Sequence, residues 1–293
     1  MVHSPEEVRV GTAAAVVNHN AGEALRECVE SLRAEGIEQI VVVDNDSNDD
    51  SVELLERDDH DVSVVRSQDN LGYGAGANLA MSLVESETVL VSNPDVVVHR
   101  GAIASLCRAL ESDPVLAIVG PRICEADGSR YPSARRFPSL LDAAGHVLLG
   151  QFVAQNRFTR RYRMEDLDSE EPTEVDWVSG ACFMARTGAL EELGGFDESY
   201  FMYAEDVDLC WRARRAGWSV AYVPGAVVTH IRALSTSKTP YRMIFAHHRS
   251  AFRFAARRWR GWRRLLLPLV ALLLALRLAG ASAKQALGRP RHE

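Results

Sequence analysis

The chain of 293 residues is 47% hydrophobic and 25% charged, a composition that supports a folded core and excludes disorder over most of its length. Its five scattered cysteines argue against a disulfide framework or a zinc site and predict reduced thiols. The net charge of -7 is unevenly divided: all but one of the acidic residues precede residue 209, whereas about half of the Lys and Arg residues follow it. Such a basic end predicts an anionic partner, either nucleic acid or a phospholipid surface. The first residues, Met1–Glu7, lack a basic start followed by an apolar run, so we expect no signal peptide.

The first half of the chain alternates β-branched segments with amphipathic ones. The predicted strands are Val10–Val17, Ile40–Val43, Val62–Val65, Val89–Val91 and Leu116–Val119. The predicted helices are Leu25–Leu32, Ser51–Glu56, Ala75–Val84 and Ile103–Leu110. This alternation predicts an α/β fold with a mostly parallel sheet covered by helices on both faces. In such sheets, ligands bind beyond the carboxyl ends of the strands.

The second half of the chain is less regular. Asp127-Gly128 predicts a hairpin turn, and the charged stretch 156–173 predicts a mobile loop. The later predicted elements are a strand at Val175–Ala185, a helix at Glu205–Ala216 and strands at Trp218–Val223 and Val227–Ile231. From Tyr241 onward the pattern is helical, basic and apolar. We therefore divide the chain into a domain of residues 1–235 and a helical extension of residues 236–293.

Two predicted strand ends carry polar or glycine-rich motifs. Asp44 ends the second strand, where a carboxylate either binds a nucleobase or ribose or caps the next helix. After the third strand, Gly72 and Gly74 let backbone N–H groups approach a phosphate or sugar closely. With Ala77 they also satisfy Gly-x-Gly-x-x-Ala, the fingerprint of dinucleotide-binding proteins. Because the fingerprint does not follow the first strand, a nicotinamide-dependent oxidoreductase is disfavoured.

Acidic residues and one histidine lie at the ends of later predicted strands and at the start of a predicted helix. Asp95 could hold a divalent cation, although a turn with an Asx cap is the plainer interpretation. Glu205, Asp206 and Asp208 open a predicted helix, where the helix dipole alone favours acids. Their aromatic neighbourhood is more than a cap requires, so one of them is a candidate general base. His230 ends a strand and is a candidate metal ligand, although most single histidines are structural.

Five motifs, taken in order, carry a resemblance to a known family. They are Val43-Asp44-Asn45-x-Ser47, Asn70-x-Gly72-x-x-x-Gly76-x-Asn78, Asn93-Pro94-Asp95, Trp177-x-x-Gly180-Ala181, and the segment from Gly195-Phe196-Asp197 to Glu205-Asp206-x-Asp208-Leu209-x-x-Arg212. Over about residues 10–235 they resemble the family 2 inverting glycosyltransferases of the GT-A fold. Within that family, the chain is most similar to rhamnosyltransferases that add L-rhamnose to N-acetylglucosamine on a polyprenyl-diphosphate carrier.

The resemblance implies a role for each motif. Asp206 would be the catalytic base, with Glu205 and Asp208 as supporting acids. Asp95 and His230 would hold a divalent metal, Mn²⁺ or Mg²⁺, and Asn93 stands where the family has the first aspartate of its metal motif. The residues implied in donor binding are Asn18, Asp44, Asn45, Asn70, Gly72, Asn78 and Asn93. The residues implied in acceptor binding are Trp177 and Gly180.

The implied substrates are dTDP-L-rhamnose and a lipid-linked sugar acceptor. A family member that uses a UDP- or GDP-linked sugar, or another glycan acceptor, is the alternative. A non-catalytic nucleotide-sugar-binding protein is a more distant one. The sequence leaves the formation of a homo-oligomer open.

The predicted C-terminal extension combines clustered arginines around Trp259 and Trp262 with the apolar run Leu265–Leu276. The run is shorter than the ~20 residues needed to span a bilayer. We therefore expect a peripheral helix at an anionic membrane surface, on the cytoplasmic face of the cell membrane. A helix packed on the catalytic domain or on a partner subunit is the alternative. Nucleic-acid binding is disfavoured, because a duplex has no use for the leucine run.

Overall fold

The structure, a computed structural model, describes residues 11–58, 61–137, 162, 164, 169–231 and 240–287. Its strands are β1 (Thr12–Asn18), β2 (Ile40–Asp44), β3 (Ser63–Arg66), β4 (Thr88–Ser92), β5 (Val96–Val98), β6 (Leu116–Cys124), β7 (Arg130–Tyr131), β8 (Ala134–Arg135), β9 (Thr173–Glu174), β10 (Trp177–Val178), β11 (Cys182–Arg186) and β12 (Ser219–His230). Its helices are α1 (Glu23–Ala34), α2 (Ser51–Asp58), α3 (Tyr73–Met81), α4 (Ala102–Ser112), α5 (Thr187–Leu193), α6 (Glu205–Ala216), α7 (Pro240–Arg258) and α8 (Leu267–Leu287), with a 3-10 helix at Gly261–Leu266 before α8. Most of the loop predicted at 156–173 lies outside the described residues.

The central sheet is mixed. Its strands lie in the order β3-β2-β1-β4-β11-β6-β12-β5, and the first four are mutually parallel. β11 runs antiparallel to both of its neighbours, and β5 runs antiparallel to β12. The prediction of a mostly parallel sheet is therefore correct for the half built by the first strand–helix repeats. It is wrong for the other half, where β6 and β12 are parallel but β11 and β5 run antiparallel to their neighbours. A strand parallel to β6 must begin at the end of the sheet where β6 begins, which requires a crossover connection. β11 begins instead at the end of the sheet where β6 finishes, so it runs antiparallel to β6.

Three predicted strands differ from those in the structure. The strand predicted at Val175–Ala185 is divided, because β10 leaves the main sheet to pair with β8 and only β11 joins the sheet. The two strands predicted between residues 218 and 231 form the single strand β12, whose register shifts between Val223 and Val227. That shift contains Pro224, which has no N–H for a strand ladder. The short elements β5 and α5 were not predicted.

Helices cover both faces of the sheet, as the alternating pattern predicts. On one face, buried side chains of α1, α2 and α4, such as Leu25, Leu55 and Leu106, form a core with β1, β2 and β4. On the other face, α3, α5 and α6 contribute a second core that includes Ala77 and Leu209. The glycines of α3 bring it close to the sheet. Burial of apolar surface stabilises the folded state by about 25 cal/mol per Å², so the packing of helices on both faces of the sheet is favoured.

The sheet directions bring the polar strand ends to one edge. β1, β2 and β4 end there, with Asn18 directly opposite Asp44 in the register. β12 runs in the same direction through its parallel pairing with β6, so His230 ends at this edge too. β11 runs the opposite way and starts there, opposite Ser92. The prediction that these polar residues lie at the carboxyl ends of strands, along one edge of the sheet, is confirmed by this topology, and their roles stay predictions.

The C-terminal extension has two parts with different surroundings. α7 packs on the domain: its residues Ala246 and Phe254 are buried, and the ring of Phe254 lies 6.3 Å from that of Trp211. α8 contacts α7 but leaves several large apolar side chains exposed. In the part of the chain that the structure describes, no helix has the length and apolar character needed to cross a bilayer.

Candidate active site

A buried polar network joins the ends of β1 and β2. Nδ2 of Asn18 donates to Oδ1 of Asp44 at 2.8 Å and to the hydroxyl of Ser51 at 2.8 Å. The Ser47 hydroxyl donates to the same Asp44 oxygen at 2.5 Å. Asn18 is fully buried and its described contacts help to orient Asp44, and the donor-binding role predicted for it stays a prediction. Asp44 itself is held in one orientation at the edge, which suits a carboxylate that must accept hydrogen bonds from a nucleoside.

Asn45, Asn70 and Gly72 form a second set of contacts beside this network. Oδ1 of Asn45 accepts the N–H of Leu71 at 2.9 Å, and its Nδ2 donates to the carbonyl of Gly72 at 3.1 Å. Oδ1 of Asn70 accepts the N–H of Gly72 at 3.0 Å. Both amides therefore shape the glycine-rich turn, and their predicted contact with a donor stays a prediction.

Gly72 is required by close backbone packing. Its φ is +87°, and a Cβ there would lie 2.3 Å from the carbonyl oxygen of Phe201. The next residue, Tyr73, donates its N–H to the same carbonyl at 3.0 Å. The glycine-rich turn thus leans directly on the segment that leads into α6, so the predicted donor side and the predicted base side are physically joined.

Asn78 makes a second connection between these two regions. Its Oδ1 accepts the N–H of Phe196 at 2.8 Å, and its Nδ2 donates to the Phe196 carbonyl at 2.9 Å and to Oε1 of Glu198 at 3.0 Å. These contacts use the amide to fix the loop at Gly195–Asp197. The donor-binding role predicted for Asn78 stays a prediction, because none of its described contacts faces the strand-end edge.

Asp95 and His230 meet at the carboxyl edge. His230 Nε2 lies 3.0 Å from Asp95 Oδ1 and 3.3 Å from Nδ2 of Asn93, and both Asp95 and His230 are buried. The backbone pairing of β5 with β12 places them together, since His230 stands opposite Val96. Within the described residues, no three His, Cys, Asp or Glu side chains form a group that could hold a metal ion. Among the described residues, Asp95 and His230 are therefore a pair of potential metal ligands, and they do not by themselves complete the coordination of a metal ion.

Asp206 lies at the start of α6 with its carboxylate fixed by two backbone donors. The N–H of Gly180 donates to Oδ2 at 2.9 Å, and the N–H of Val207 donates to Oδ1 at 2.8 Å. A Cβ at Gly180 would lie 3.0 Å from the Cβ of Asp206, so the absence of a side chain there lets the carboxylate approach. Burial raises the pKa of Asp206, and the two backbone donors and the charge of Arg135 act in the opposite direction.

Glu205 precedes Asp206 and is more deeply enclosed. It is buried, and its Oε2 has no hydrogen-bond partner among the described residues. Burial, reinforced by the charge of Asp206, raises the pKa of Glu205 to about 8. Because the two carboxyl groups are adjacent, the charge of one raises the proton affinity of the other, and their titrations are linked.

Asp208 has a different environment from the other two acids. Its Oδ2 accepts Nε of Arg212 at 2.7 Å, and its Oδ1 lies 3.3 Å from Nε of Arg257. Arg212 also donates to the carbonyls of Leu193 and Gly195, each at 2.7 Å. The fully buried Asp208 carboxylate thus joins α6 to α7 and to the loop before α6. These contacts hold the loop before α6 in place, and the predicted role of Asp208 as a supporting acid stays a prediction.

Two residues before α6 have a strained backbone. Tyr203 and Ala204 both have positive φ, 69° and 66°, although neither is glycine. α7 packs on this segment: the hydroxyl of Ser250 donates to the carbonyl of Met202 at 2.9 Å, and the ring of His247 lies 5.3 Å from that of Tyr203. Such strain persists only where the surroundings fix the chain, as the contacts of α7 do at this segment.

Trp177 and Gly180 lie on the same side as Asp206. Trp177 is buried, and its Nε1 donates to the carbonyl of Arg136 at 3.1 Å. The hydroxyl of Tyr73 donates to the carbonyl of Gly180 at 2.5 Å. Arg135 stacks on the Trp177 ring with its guanidinium carbon 4.9 Å from the ring centroid. Sequence reasoning missed Arg135, because the pairing of β8 with β10 that brings it here leaves no recognisable motif.

The chain matches one family model over most of its length. The model describes a glycosyltransferase-like family 2, and the match covers residues 9–254. The matched region therefore includes residues 9–235 of the predicted domain and most of α7, in agreement with the packing of α7 on that domain.

Comparison with known proteins identifies relatives of the same kind. The chain is 39% identical over 244 residues to an N-acetylglucosaminyl-diphospho-decaprenol L-rhamnosyltransferase of Mycobacterium tuberculosis, with 79% of each chain covered. It is 26% identical to the rhamnosyltransferase WbbL of Escherichia coli K12, over 83% of this chain and 92% of that protein. Among solved structures, a mannosyltransferase from Pyrobaculum calidifontis with GDP-Man and Mn²⁺ superposes with a TM-score of 0.58 at 17% identity, covering 96% of this chain and 77% of that one.

Proposed function

Since the chain belongs to the glycosyltransferase-like family 2, we propose that it transfers L-rhamnose from dTDP-L-rhamnose to N-acetylglucosamine on a polyprenyl-diphosphate carrier. The family membership makes the protein a glycosyltransferase. Support for the acceptor and the sugar comes from the mycobacterial relative, whose name specifies both. The choice of a dTDP-linked donor is our inference from the rhamnosyl group.

The arrangement of Asp206 is the observation that carries this proposal. Its carboxylate is held at 2.9 Å by the N–H of Gly180 and at 2.8 Å by that of Val207, beside the same sheet edge to which Asp95 and His230 belong. A carboxylate that is fixed, half-buried and free of a lysine or arginine salt bridge within the described residues suits a general base. The opposite end of the edge carries Asp44, where a nucleoside would be recognised.

In the proposed reaction, Asp206 takes the proton of the acceptor hydroxyl. The acceptor oxygen forms a bond to the anomeric carbon of the donor while the bond from that carbon to the diphosphate oxygen breaks. The products are the glycoside, the nucleoside diphosphate and a protonated Asp206. Attack from the face opposite the diphosphate inverts the anomeric configuration, so a β-linked donor yields an α-L-rhamnoside. A base of this kind contributes ~10²–10⁴-fold to the rate.

Asp95 and His230 fit the protein part of a divalent metal site. Mg²⁺ and similar cations are commonly held by one or two carboxylates together with substrate phosphate oxygens, so two protein ligands suffice once a diphosphate is present. His230 Nε2 already lies 3.0 Å from Asp95 Oδ1, and imidazole nitrogen suits Mn²⁺ as well. When bound, the cation would neutralise charge on the leaving diphosphate. The Mn²⁺ in the solved mannosyltransferase complex supports this proposal for the fold.

The exposed side of α8 supports an action at a membrane surface. Leu269, Leu272 and Leu276 recur at helical spacing and are 53%, 57% and 63% exposed. Trp262 and Leu265, in the preceding 3-10 helix, are 64% and 81% exposed. The arginines of this segment would face anionic headgroups, each contributing about 1 kcal/mol. We therefore propose a peripheral enzyme at the cytoplasmic face, where a lipid-linked acceptor is presented.

A donor panel tests the proposal. The full chain is incubated with dTDP-L-rhamnose, UDP-N-acetylglucosamine or GDP-mannose, with Mn²⁺ or Mg²⁺ and a short polyprenyl-diphosphate-N-acetylglucosamine. We expect product only with dTDP-L-rhamnose and only with a divalent metal. Transfer from a UDP- or GDP-linked sugar would favour the related activity with another donor. Binding of a nucleotide sugar without hydrolysis or transfer would favour a non-catalytic binding protein.

A further inference from the structure

Arg135 ends β8 and is enclosed by aromatic rings. Its guanidinium carbon lies 4.9 Å from the ring centroid of Trp177, 5.3 Å from that of Tyr131 and 5.7 Å from that of Tyr162. Nε donates to the carbonyl of Pro132 at 2.8 Å, and Nη2 donates to the hydroxyl of Tyr131 at 2.6 Å. A planar cation held by three rings and two hydrogen bonds has a fixed position.

The backbone around Arg135 connects it to Asp206. Arg135 stands opposite Trp177 in the β8–β10 pair, and the N–H of Ser179 donates to the carbonyl of Ser133 at 2.8 Å. Gly180, the residue after Ser179, is the one whose N–H donates to Asp206. Arg135 and the carboxylate of Asp206 are therefore both attached to one short, cross-linked piece of chain.

The charge of Arg135 is not matched by an acid in the described part of the chain, where no carboxylate lies within salt-bridge distance of its guanidinium. Among the described residues, the titratable groups that interact electrostatically with Asp206 include Glu205, Tyr73, Tyr162, Cys210 and Arg135. Arg135 is the cation in this set. A neutral side chain would fill an aromatic cage without the cost of desolvating an unpaired charge, so the charge itself needs an explanation.

We propose that Arg135 is a positioning residue that keeps the carboxylate of Asp206 ionised, and therefore able to accept a proton, through its fixed charge and without touching the substrate. The proposal rests on the proposed function, in which Asp206 is the base. It accounts for a cation that has no acidic partner among the described residues and lies near the adjacent carboxyl groups of Glu205 and Asp206, because a base next to a second, buried carboxyl group would otherwise hold its proton. Burial raises the pKa of Asp206, and the charge of Arg135 opposes that effect.

The test is the pH dependence of kcat/KM, which reports ionisations of the free enzyme. We compare the wild type with Arg135→Met, Arg135→Gln and Arg135→Lys, using Asp206→Asn as the inactive reference. In the two neutral variants, the acid limb should move to higher pH. Activity at acid pH should fall by roughly tenfold, while the loss on the alkaline plateau stays below about threefold. Arg135→Lys should restore most of the wild-type profile. The matched control is Arg136, which is adjacent in sequence and exposed, and Arg136→Met should leave the pH profile of kcat/KM unchanged.

Each other outcome has a distinct meaning. An equal loss at all pH values in the neutral variants, with the acid limb unmoved, would overturn the inference and leave Arg135 as packing for Trp177. The same conclusion follows if Arg135→Lys is as impaired as Arg135→Met. Thermal melting checks that each variant is folded, and Arg135→Gln serves if the methionine variant is not. An active Asp206→Asn would overturn the base assignment, and a wild type without transfer would overturn the proposed function. Both results would remove this inference as well.

Discussion

The two sides of the strand-end edge are formed by different kinds of side chains. The side formed by β1, β2 and the glycine-rich turn is held by neutral amides and hydroxyls around the single carboxylate of Asp44. The side formed by β8, β10 and α6 carries two buried carboxyl groups, a caged arginine and a strained approach to the helix. A nucleoside is recognised by hydrogen bonds in fixed directions, whereas a proton transfer needs a carboxyl group with an adjusted affinity for the proton.

The same division separates binding from chemistry. Substitutions on the Asp206 side should lower turnover and change its pH dependence while leaving the donor affinity nearly constant. Substitutions on the Asp44 and Asp95 side should act mainly on the donor or the metal. The following variants test this division, beginning with the largest expected effect.

Asp206→Asn should cause the largest loss of turnover. The amide preserves the shape but cannot accept the proton of the acceptor, so kcat should fall by ~10²–10⁴-fold. The dissociation constant for the donor, measured by calorimetry, should change by less than about threefold. Near-normal turnover in this variant, together with a strong loss in Glu205→Gln, would transfer the role of the base to Glu205.

Gly180→Ala should reduce turnover by a smaller factor. The added Cβ would lie 3.0 Å from the Cβ and 3.4 Å from Oδ2 of Asp206, so the carboxylate must shift by a few tenths of an ångström. We expect roughly a tenfold loss of kcat with unchanged donor affinity, since small displacements of a reacting group are costly. Gly188→Ala is the matched control, because a Cβ there meets nothing within 4 Å. Wild-type kinetics for both variants would show that the position of Asp206 is not critical.

Asp95→Ala should change the response to metal. Removing the carboxylate beside His230 should raise the Mn²⁺ concentration for half-maximal activity by at least about tenfold. Titration of activity with Mn²⁺ in chelator-treated samples measures this shift. Full activity of the wild type in excess chelator, or an unchanged titration curve for the variant, would contradict a metal at this pair.

Glu205→Gln should alter the pH dependence of stability. The pKa of Glu205 is about 8 in the folded protein against an ordinary 4.5, so between these values the folded chain keeps a proton that the unfolded chain releases. Its contribution to stability is therefore fully present below pH 4.5 and is lost as the pH rises through about 8. The Tm of the wild type should fall more than that of Glu205→Gln between pH 5 and pH 8, by about 2–4 °C for each kcal/mol of difference. Parallel curves would contradict a protonated, buried Glu205.

Removal of α8 should have the smallest effect on the chemistry. A chain that ends after Arg260 keeps α7 and its contacts with the segment before α6, so donor hydrolysis should stay within about twofold of the full chain. Its co-sedimentation with anionic liposomes should be lost, and so should most transfer to a long-chain lipid acceptor. A chain that ends after Arg249 is the contrast, because it also lacks Phe254 and Arg257 and should lose stability. Equal liposome binding by the full chain and the chain ending after Arg260 would contradict the membrane contact.

The sequence predicts the donor side of the site better than the base side. Asn18, Asp44 and Asp95 follow β-branched strands that alternate with helices, so local pattern and sheet topology place them together. Arg135 is placed by the short antiparallel pair of β8 and β10, and α7 contacts the segment before α6; local periodicity encodes neither of these contacts. The mixed sheet was missed for the same reason, since the direction of β11 depends on a connection far from its own residues.

The most direct test of the central claim is the identity of the product. The full chain is incubated with dTDP-L-rhamnose, Mn²⁺ and polyprenyl-diphosphate-N-acetylglucosamine, and the lipid-linked product is examined by mass spectrometry and by NMR of its anomeric carbon. We predict one added deoxyhexose per acceptor, joined as an α-L-rhamnoside, and the same acceptor unchanged when Asp206→Asn replaces the wild type. Release of dTDP without a glycosylated lipid, or a β-linked product, would contradict the claim.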